Sequence, residues 1–194
     1  MEEDYQQRSA GIVKVVLFGP ESTGKTTLAM LLAQHYNTVW VPEFAREYLQ
    51  QKWEEEQVTC EEKDLLPIAR GQMRLENELA EKANRLLICD TDLLETKVYS
   101  EEYYGGKTDP VLNKYARKNT YDLYLLTNID IPWEEDDLRD RPHLREEMFK
   151  AFENALINHN RNYVIIEGDL QSRLDKAIDE IDRIMEKKFL NQRT

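Results

Sequence analysis

The chain has 194 residues, 41% of them hydrophobic and 9% aromatic, which is enough for one packed α/β domain, short for two and too apolar for a disordered chain. A formal net charge of -12 disfavours DNA and acidic membrane surfaces as partners and points to small molecules. The cysteines Cys60 and Cys89 lie too far apart to suggest a disulfide framework, His35, His143 and His159 are scattered, no apolar run reaches a membrane span, and the acidic start Met1-Glu2-Glu3-Asp4 lacks the parts of a signal peptide, so a cytoplasmic protein is expected.

Residues 1–10 are polar and patternless and are expected to form a mobile tail, with 11–194 as a single domain. Ile12 to Phe18 is apolar except for Lys14, as in a strand covered on both faces of a parallel sheet. Gly19-Pro20-Glu21-Ser22-Thr23-Gly24-Lys25-Thr26 follows, and a helical pattern runs from Thr27 to about Tyr36. Glycine, four residues, glycine, lysine, threonine between a strand and a helix is the phosphate-binding loop. The glycines allow consecutive backbone N–H groups to face a phosphate. The helix start adds free donors and a partial positive charge. Lys25 reaches the outer phosphates and Thr26 offers its hydroxyl to Mg²⁺. A nucleoside triphosphate with Mg²⁺ is therefore expected along Gly19, Glu21 to Thr26 and Thr27.

Thr38 to Val41 reads as a second strand stopped by Pro42. Glu43 to Leu49 reads as helical, and 50–62 as a polar surface connection. A long helix is predicted from Asp64 to Asn84, interrupted by Gly71, which costs about 1 kcal/mol relative to alanine. Leu86 to Cys89 is the third strand and ends in Asp90-Thr91-Asp92. Helices are predicted at Leu93–Tyr104 and Val111–Lys118, a fourth strand at Tyr121–Thr127, and an irregular charged lid at about 128–143. A helix from Leu144, a fifth strand at Tyr163–Glu167 and a last helix from about Ser172 complete the chain. Strands alternating with helices imply an α/β fold with a five-stranded, mostly parallel sheet and right-handed crossovers. Ligands then bind at the carboxyl ends of the strands.

That rule gathers the candidate residues. Asp90 stands where a Mg²⁺-organising carboxylate belongs. Asp92 either joins it, facing the same side of an extended chain, or caps the next helix. Glu43 follows the second strand and is placed to take a proton from an attacking hydroxyl. Arg46 lies one helical turn on, suited to the acceptor or to charge on the moving phosphoryl group. In the lid, Arg139 is the first choice to close over the phosphates, with Arg141 and Arg145 behind it. Trp133 is suited to stack on a flat ring, and Phe44, Tyr48, Gln72, Tyr103 and Tyr104 belong to the expected acceptor pocket.

Gly-Pro-Glu-Ser-Thr-Gly-Lys-Thr-Thr-Leu (19–28), Pro-Glu-Phe-Ala-Arg-Glu-Tyr-Leu (42–49), Cys-Asp-Thr-Asp (89–92) and Ile-Pro-Trp with its acidic-then-arginine lid (131–139) together resemble the ribosylnicotinamide kinase domain of the multifunctional NAD-biosynthesis regulators. The likeness runs from about Ile12 onward. It implies a P-loop kinase moving the γ-phosphate of ATP to the 5′-hydroxyl of nicotinamide riboside, with Lys25 and Thr26 serving ATP and Mg²⁺, Asp90 the acidic position after the third strand, and Arg139 the lid arginine. No histidine pair here has the histidine-x-glycine-histidine spacing of the adenylyltransferase domain those proteins also carry. A kinase for another nucleoside or deoxynucleoside shares all of this phosphate chemistry. An ATP-binding sensor that signals to a partner protein uses the same loop without an acceptor.

Overall fold

In a computed structural model of the chain, which describes residues 2–136, 138 and 142–190, five parallel strands form one sheet in the order β2-β3-β1-β4-β5. The strands are β1 (Val13–Phe18), β2 (Trp40–Val41), β3 (Leu86–Asp90), β4 (Leu123–Thr127) and β5 (Tyr163–Ile166). Seven α-helices lie among the described residues: α1 (Lys25–His35), α2 (Phe44–Glu56), α3 (Leu65–Ala80), α4 (Leu93–Tyr103), α5 (Pro110–Lys118), α6 (Arg145–Asn158) and α7 (Leu170–Leu190). The sheet is parallel throughout, where the sequence predicted a mostly parallel one.

The central strand β1 is buried along its whole length, which is why its sequence is a near-continuous apolar run. Its side chains alternate between two cores. Val16 and Phe18 join Cys89, Tyr124 and Leu126 beneath Phe152 and Leu156 of α6. Val13, Val15 and Leu17 join Ile88 and Leu125 beneath Leu28 and Leu32 of α1 and Ile181 of α7. Two covered faces force every strand end to open at the sheet's edge, and the carboxyl ends of β1, β2 and β3 open side by side.

Several boundaries differ from the sequence reading. The opening residues, expected as a tail, are packed: a 3₁₀ turn at Glu2–Tyr5 buries Tyr5 against Tyr115. The Asn119 side chain donates to the Tyr5 carbonyl at 3.2 Å, and the Arg8 N–H donates to Asn77 Oδ1 at 2.8 Å. The segment is held through the buried Glu76 of α3, which accepts from Lys14, Gln7 and Tyr121 at 2.7–2.8 Å. Nothing in a polar ten-residue stretch announces that a buried carboxylate elsewhere needs its donors. Similarly, 50–62 is not all connection. α2 continues to Glu56 because Lys52 turns inward and pairs with Glu61 at 2.7 Å and Asp64 at 2.6 Å. The third helix stops at Ala80 rather than near Asn84, and the last begins at Leu170.

Gly71 has a packing reason. A Cβ there would meet the Phe44 ring at 2.1–2.4 Å, so α2 can approach the α3 backbone only because that position is bare. The same contact holds the start of α2, where Glu43 stands, against the sheet edge.

Candidate active site

The turn from β1 to α1 wraps back on itself. Gly24 caps α1 with φ 79°, a left-handed conformation that glycine adopts without strain. A Cβ on Gly19 would lie 2.8 Å from Thr127 Oγ1, so the loop can lie against the end of β4 only with glycine there. The Thr23 and Thr127 hydroxyls meet at 2.7 Å, and Thr23 Oγ1 donates to the Pro20 carbonyl at 2.8 Å. No side chain caps α1, so its first N–H groups are left for an anion.

Lys25 Nζ donates to the carbonyls of Gly19 at 2.7 Å and Pro20 at 2.9 Å, and lies 3.2 Å from Glu95 Oε1. Burial alone would lower its pKa; Glu95, Glu43 and Asp90 outweigh that, and the net direction is up. Lys25 therefore stays charged. Its partner Glu95 is also pushed upward, by burial first, with Lys25 as the cation opposing the rise. The two shifts differ in origin: the surrounding carboxylates raise Lys25 against its burial, while burial itself raises Glu95.

Thr26 Oγ1 donates to Asp90 Oδ2 at 2.6 Å, while Asp90 Oδ1 is buried with no hydrogen-bond partner. Burial, and then the charge of Glu43, raise the Asp90 carboxyl to about 6 against the opposing pull of Lys25 and the Thr26 hydrogen bond. A half-satisfied buried carboxylate beside a hydroxyl, at the foot of a phosphate loop, is a donor set that fits a hard divalent cation. Among the described residues no three acidic, histidine or cysteine side chains cluster as a metal cage. Thr26 and Asp90 would therefore hold Mg²⁺ together with phosphate oxygens and water, and the ion would neutralise charge on the phosphates.

Glu43 occupies the N-cap of α2 without capping it by a side-chain bond, so its carboxylate is free to face the cleft. Gln72 fixes the backbone beside it: its Oε1 accepts from the Phe44 N–H at 2.8 Å, and its Nε2 donates to the Pro42 carbonyl at 3.3 Å. The phosphate loop, Asp90, Glu43, Phe44 and Arg46 line one groove of about 830 Å³. A second cavity of about 270 Å³ continues from it beneath α2 and α3 and is lined by Gln72, Thr96, Tyr103, Tyr104, Ile68 and Glu95. Glu21, Glu43 and Tyr99 line both. Gln72, Tyr103 and Tyr104, expected at an acceptor pocket, thus come together in this one cavity, whereas Tyr48 turns away to Asp64 at 3.1 Å.

Other expected residues take different positions. Asp92 lies outside both cavities, fully buried, accepting from the Glu95 N–H at 3.0 Å and the Tyr124 hydroxyl at 2.7 Å. Of its two readings, the helix cap is the one the structure displays. Arg46 pairs with Asp136, in the segment expected as a lid, at 2.9 Å. Trp133 faces Pro20, Tyr103 and Met148, with the Arg145 guanidinium 5.7 Å from its ring centroid. Arg145 itself donates to the carbonyls of Ile131 at 2.9 Å and Ser22 at 3.2 Å, tying the segment after β4 to the phosphate loop. Arg139 and Arg141 lie outside the described residues.

Two residues that sequence reasoning passed over complete the site. Arg173, buried at the start of α7, donates to the carbonyls of Gly168 at 2.9 Å, Thr23 at 2.8 Å and Asn128 at 3.0 Å, and pairs with Asp130. It joins the phosphate loop to the ends of β4 and β5. Glu95 is the other. Asp92 three residues before an acid at the third helical position is a capping signal, and it is the only hint in the sequence that Glu95 faces inward.

An all-parallel five-stranded sheet flanked by helices, with a phosphate loop after its central strand and a buried aspartate at the end of the strand beside it, defines a P-loop kinase-like α/β protein. The chain belongs to the AAA domain family, which matches residues 14–173. It is 27% identical over 176 residues to the trifunctional NAD biosynthesis/regulator protein NadR of Salmonella typhimurium, covering 88% of this chain and 42% of that protein. The chain therefore spans less than half the length of that relative. Among solved structures it is similar to NadR protein in complex with NR, with a TM-score of 0.74, 24% identity, and coverage of 90% of this chain and 52% of that one. It is also similar to deoxyadenosine kinase from M. mycoides, with a TM-score of 0.63, 14% identity, and coverage of 88% of this chain and 100% of that one. Among the described residues no helix is long and apolar enough to cross a membrane.

Proposed function

We propose that this chain is an ATP-dependent nucleoside kinase that phosphorylates the 5′-hydroxyl of nicotinamide riboside, yielding the mononucleotide. The observation that carries this reading is the junction of the two cavities. Glu43 stands where the phosphate groove meets a pocket deep enough for a second small molecule. A site that only bound or hydrolysed ATP would need no such annexe.

The lining of that annexe bears on what enters it. Among the described residues it carries the carboxylates of Glu21, Glu43 and Glu95 and no lysine, arginine or histidine. An acceptor bearing a phosphate would meet repulsion there, while a neutral or cationic one would not. Nicotinamide riboside carries a positively charged pyridinium ring and a ribose, and the aromatic lining of Tyr99, Tyr103 and Tyr104 suits such a ring. The relative NadR has been crystallised with NR, and the sequence likeness to it covers most of this chain.

In the proposed reaction Lys25 and the α1 N-terminus hold the outer phosphates, and Thr26 and Asp90 hold Mg²⁺. Glu43 orients the 5′-hydroxyl and takes its proton as the oxygen attacks the γ-phosphorus and ADP departs. Arg139, by the sequence resemblance, is the residue assigned to stabilise charge on the transferring group. Catalysis is then positioning and electrostatics rather than covalent chemistry. The direct test is ATP consumption with Mg²⁺ across a panel of nucleosides, with mass detection of products. Nicotinamide mononucleotide is the expected product. Product from a different nucleoside alone would replace the acceptor, and ATP binding without any phosphorylated acceptor would point to a sensor.

A further inference from the structure

The reaction just described leaves one buried charge without a task. Glu95, in the first turn of α4, is 2% exposed, lines the smaller cavity, and its carboxylate has no partner among the described residues apart from the Lys25 ammonium. The hydroxyls nearest in sequence are committed elsewhere: those of Thr91 and Thr96 both donate to the Asp92 carbonyl, at 3.3 and 3.4 Å. What faces Glu95 is the Lys25 ammonium, 3.2 Å away as an ion pair.

Lys25 has three donors, and two of them are spent on the carbonyls of Gly19 and Pro20. The lysine is thus folded onto its own loop, with its remaining charge turned toward Glu95. A triphosphate in the loop needs the same ammonium at its outer phosphates. Lys25 cannot serve both. When it leaves, Glu95 remains buried and loses its counter-charge, so it must either take up a proton or meet a new donor. The donor has one place to come from, the cavity that Glu95 lines. Glu21 and Glu43, which share that cavity, are acceptors when ionised.

We propose that Glu95 is a binding residue for a hydroxyl of the acceptor, and that its ion pair with Lys25 couples the acceptor pocket to the ATP site. Lys25 is paired with Glu95 in the structure. ATP draws Lys25 to the phosphates, and the freed carboxylate accepts an O–H from the acceptor. Each ligand thereby favours the other, by the same factor in both directions. This rests on the phosphoryl-transfer reading of the site, and it adds an order to it: an acceptor hydroxyl is gripped firmly only once a triphosphate is in place.

Calorimetry with nicotinamide riboside and the non-hydrolysable analogue AMP-PNP, both in Mg²⁺, tests it on wild type, Glu95→Gln and Lys25→Ala. Wild type should bind the nucleoside about tenfold or more tightly once AMP-PNP is present, within the usual span of coupling between sites. Glu95→Gln keeps the shape of the side chain and should lose about tenfold in nucleoside affinity in the presence of AMP-PNP, the scale of a hydrogen bond to a charged group. It should bind AMP-PNP alone at least as tightly as wild type, because no carboxylate then competes for Lys25. Lys25→Ala should bind the nucleoside without nucleotide more tightly than wild type does.

The AMP-PNP arm needs no acceptor, so it judges the Lys25–Glu95 coupling even if nicotinamide riboside proves to be the wrong nucleoside. In that event the nucleoside accepted in the product panel replaces it in the other arms. Weaker AMP-PNP binding by Glu95→Gln, wild-type coupling retained in that variant, or no gain in nucleoside affinity in Lys25→Ala would each overturn the proposal.

Discussion

Thr26 and Asp90 are joined by a 2.6 Å hydrogen bond from hydroxyl to carboxylate, and the second Asp90 oxygen is buried with nothing to accept. The pair comes from two neighbouring strands, β1 through its loop and β3 directly. A cation together with phosphate oxygens would give that free oxygen a partner, the role proposed for the pair. Thr26→Ala should therefore raise the Mg²⁺ concentration needed for half-maximal turnover. It should also lower turnover at saturating Mg²⁺ by about tenfold to a hundredfold, as expected when one positioned electrostatic contact is lost. A Mg²⁺ titration of initial rate at fixed ATP measures both. An unchanged titration would remove Thr26 from that role.

The carboxyl of Asp90, raised to about 6 by burial and by Glu43, makes a pH signature. The free enzyme needs it ionised, so kcat/KM should fall on the acid side with an inflection near pH 6, by about tenfold per unit once the group is protonated. Glu43→Gln removes a charge that pushes this value up, so the inflection of its residual activity should move to lower pH. Stability runs the opposite way. Because the folded-state value lies above the unfolded one, the folded state binds the extra proton, and that contribution is lost as pH rises from about 4 through about 6. Asp90→Asn, which keeps an acceptor for Thr26, should be more thermostable than wild type at pH 7 and lose that advantage toward pH 4, while being nearly inactive. Thermal melts of both proteins across that range would show it.

Much of this architecture can be read from the residues in order. The apolar run Val13–Phe18, the phosphate loop and the aspartate after the third strand are local patterns, and local patterns survive in a single sequence. So does the rule that gathers Glu43 and Asp90 at one edge. What escaped depends on residues that meet only in three dimensions. Tyr5 and Gln7 are placed by Asn119 and Glu76, more than sixty residues away. Glu95 acquires its meaning from Lys25, and Gly71 from Phe44. A polar residue on a predicted helix has no mark to say that its face is buried.

Gly71 gives a prediction in which two effects oppose. Helix propensity favours alanine over glycine by about 1 kcal/mol, but the added Cβ would stand 2.1 Å from the Phe44 ring. That ring is followed within α2 by Tyr48, tilted against it, and is preceded by Glu43. Overpacking of this kind costs about 1–3 kcal/mol, so steric conflict wins. Gly71→Ala should be destabilised, and turnover should fall more than ATP affinity because the displaced group is Glu43 and not the phosphate loop. Steady-state kinetics beside a nucleotide-binding titration separates the two. A stabilised, fully active variant would mean that Phe44 swings aside freely.

Glu76 bears on the packed N-terminal segment. It is fully buried and satisfies Lys14, Gln7 and Tyr121 together. Removing one partner of a buried ion pair leaves the other uncompensated, at a cost of about 3–5 kcal/mol. Glu76→Ala should accordingly lower the melting temperature by roughly 10 °C for a chain of this size. Residues 2–9 should also become quickly exchangeable in hydrogen exchange, since Glu76 is what their donors hold. Protection retained there after the substitution would show that Tyr5 and its contact with Tyr115 anchor the segment alone.

Arg173 is the last case, and it links stability to ligand binding. Its guanidinium joins the carbonyl of Thr23 in the phosphate loop to those of Asn128 and Gly168, at the ends of β4 and β5. A lysine has one compact ammonium in place of the planar fork and cannot reach three divergent carbonyls at once. Arg173→Lys should thus retain the ion pair with Asp130 while loosening the loop. Arg173→Met loses both, and should cost toward the lower end of about 3–5 kcal/mol, because Asp130 is part exposed and can be rehydrated. For the lysine variant the melting temperature should change little and the KM for ATP should rise about tenfold, as a loop no longer held at Thr23 presents its N–H groups less well. If both variants lose stability alike and bind ATP as wild type does, Arg173 holds the sheet edge together without setting the shape of the phosphate loop.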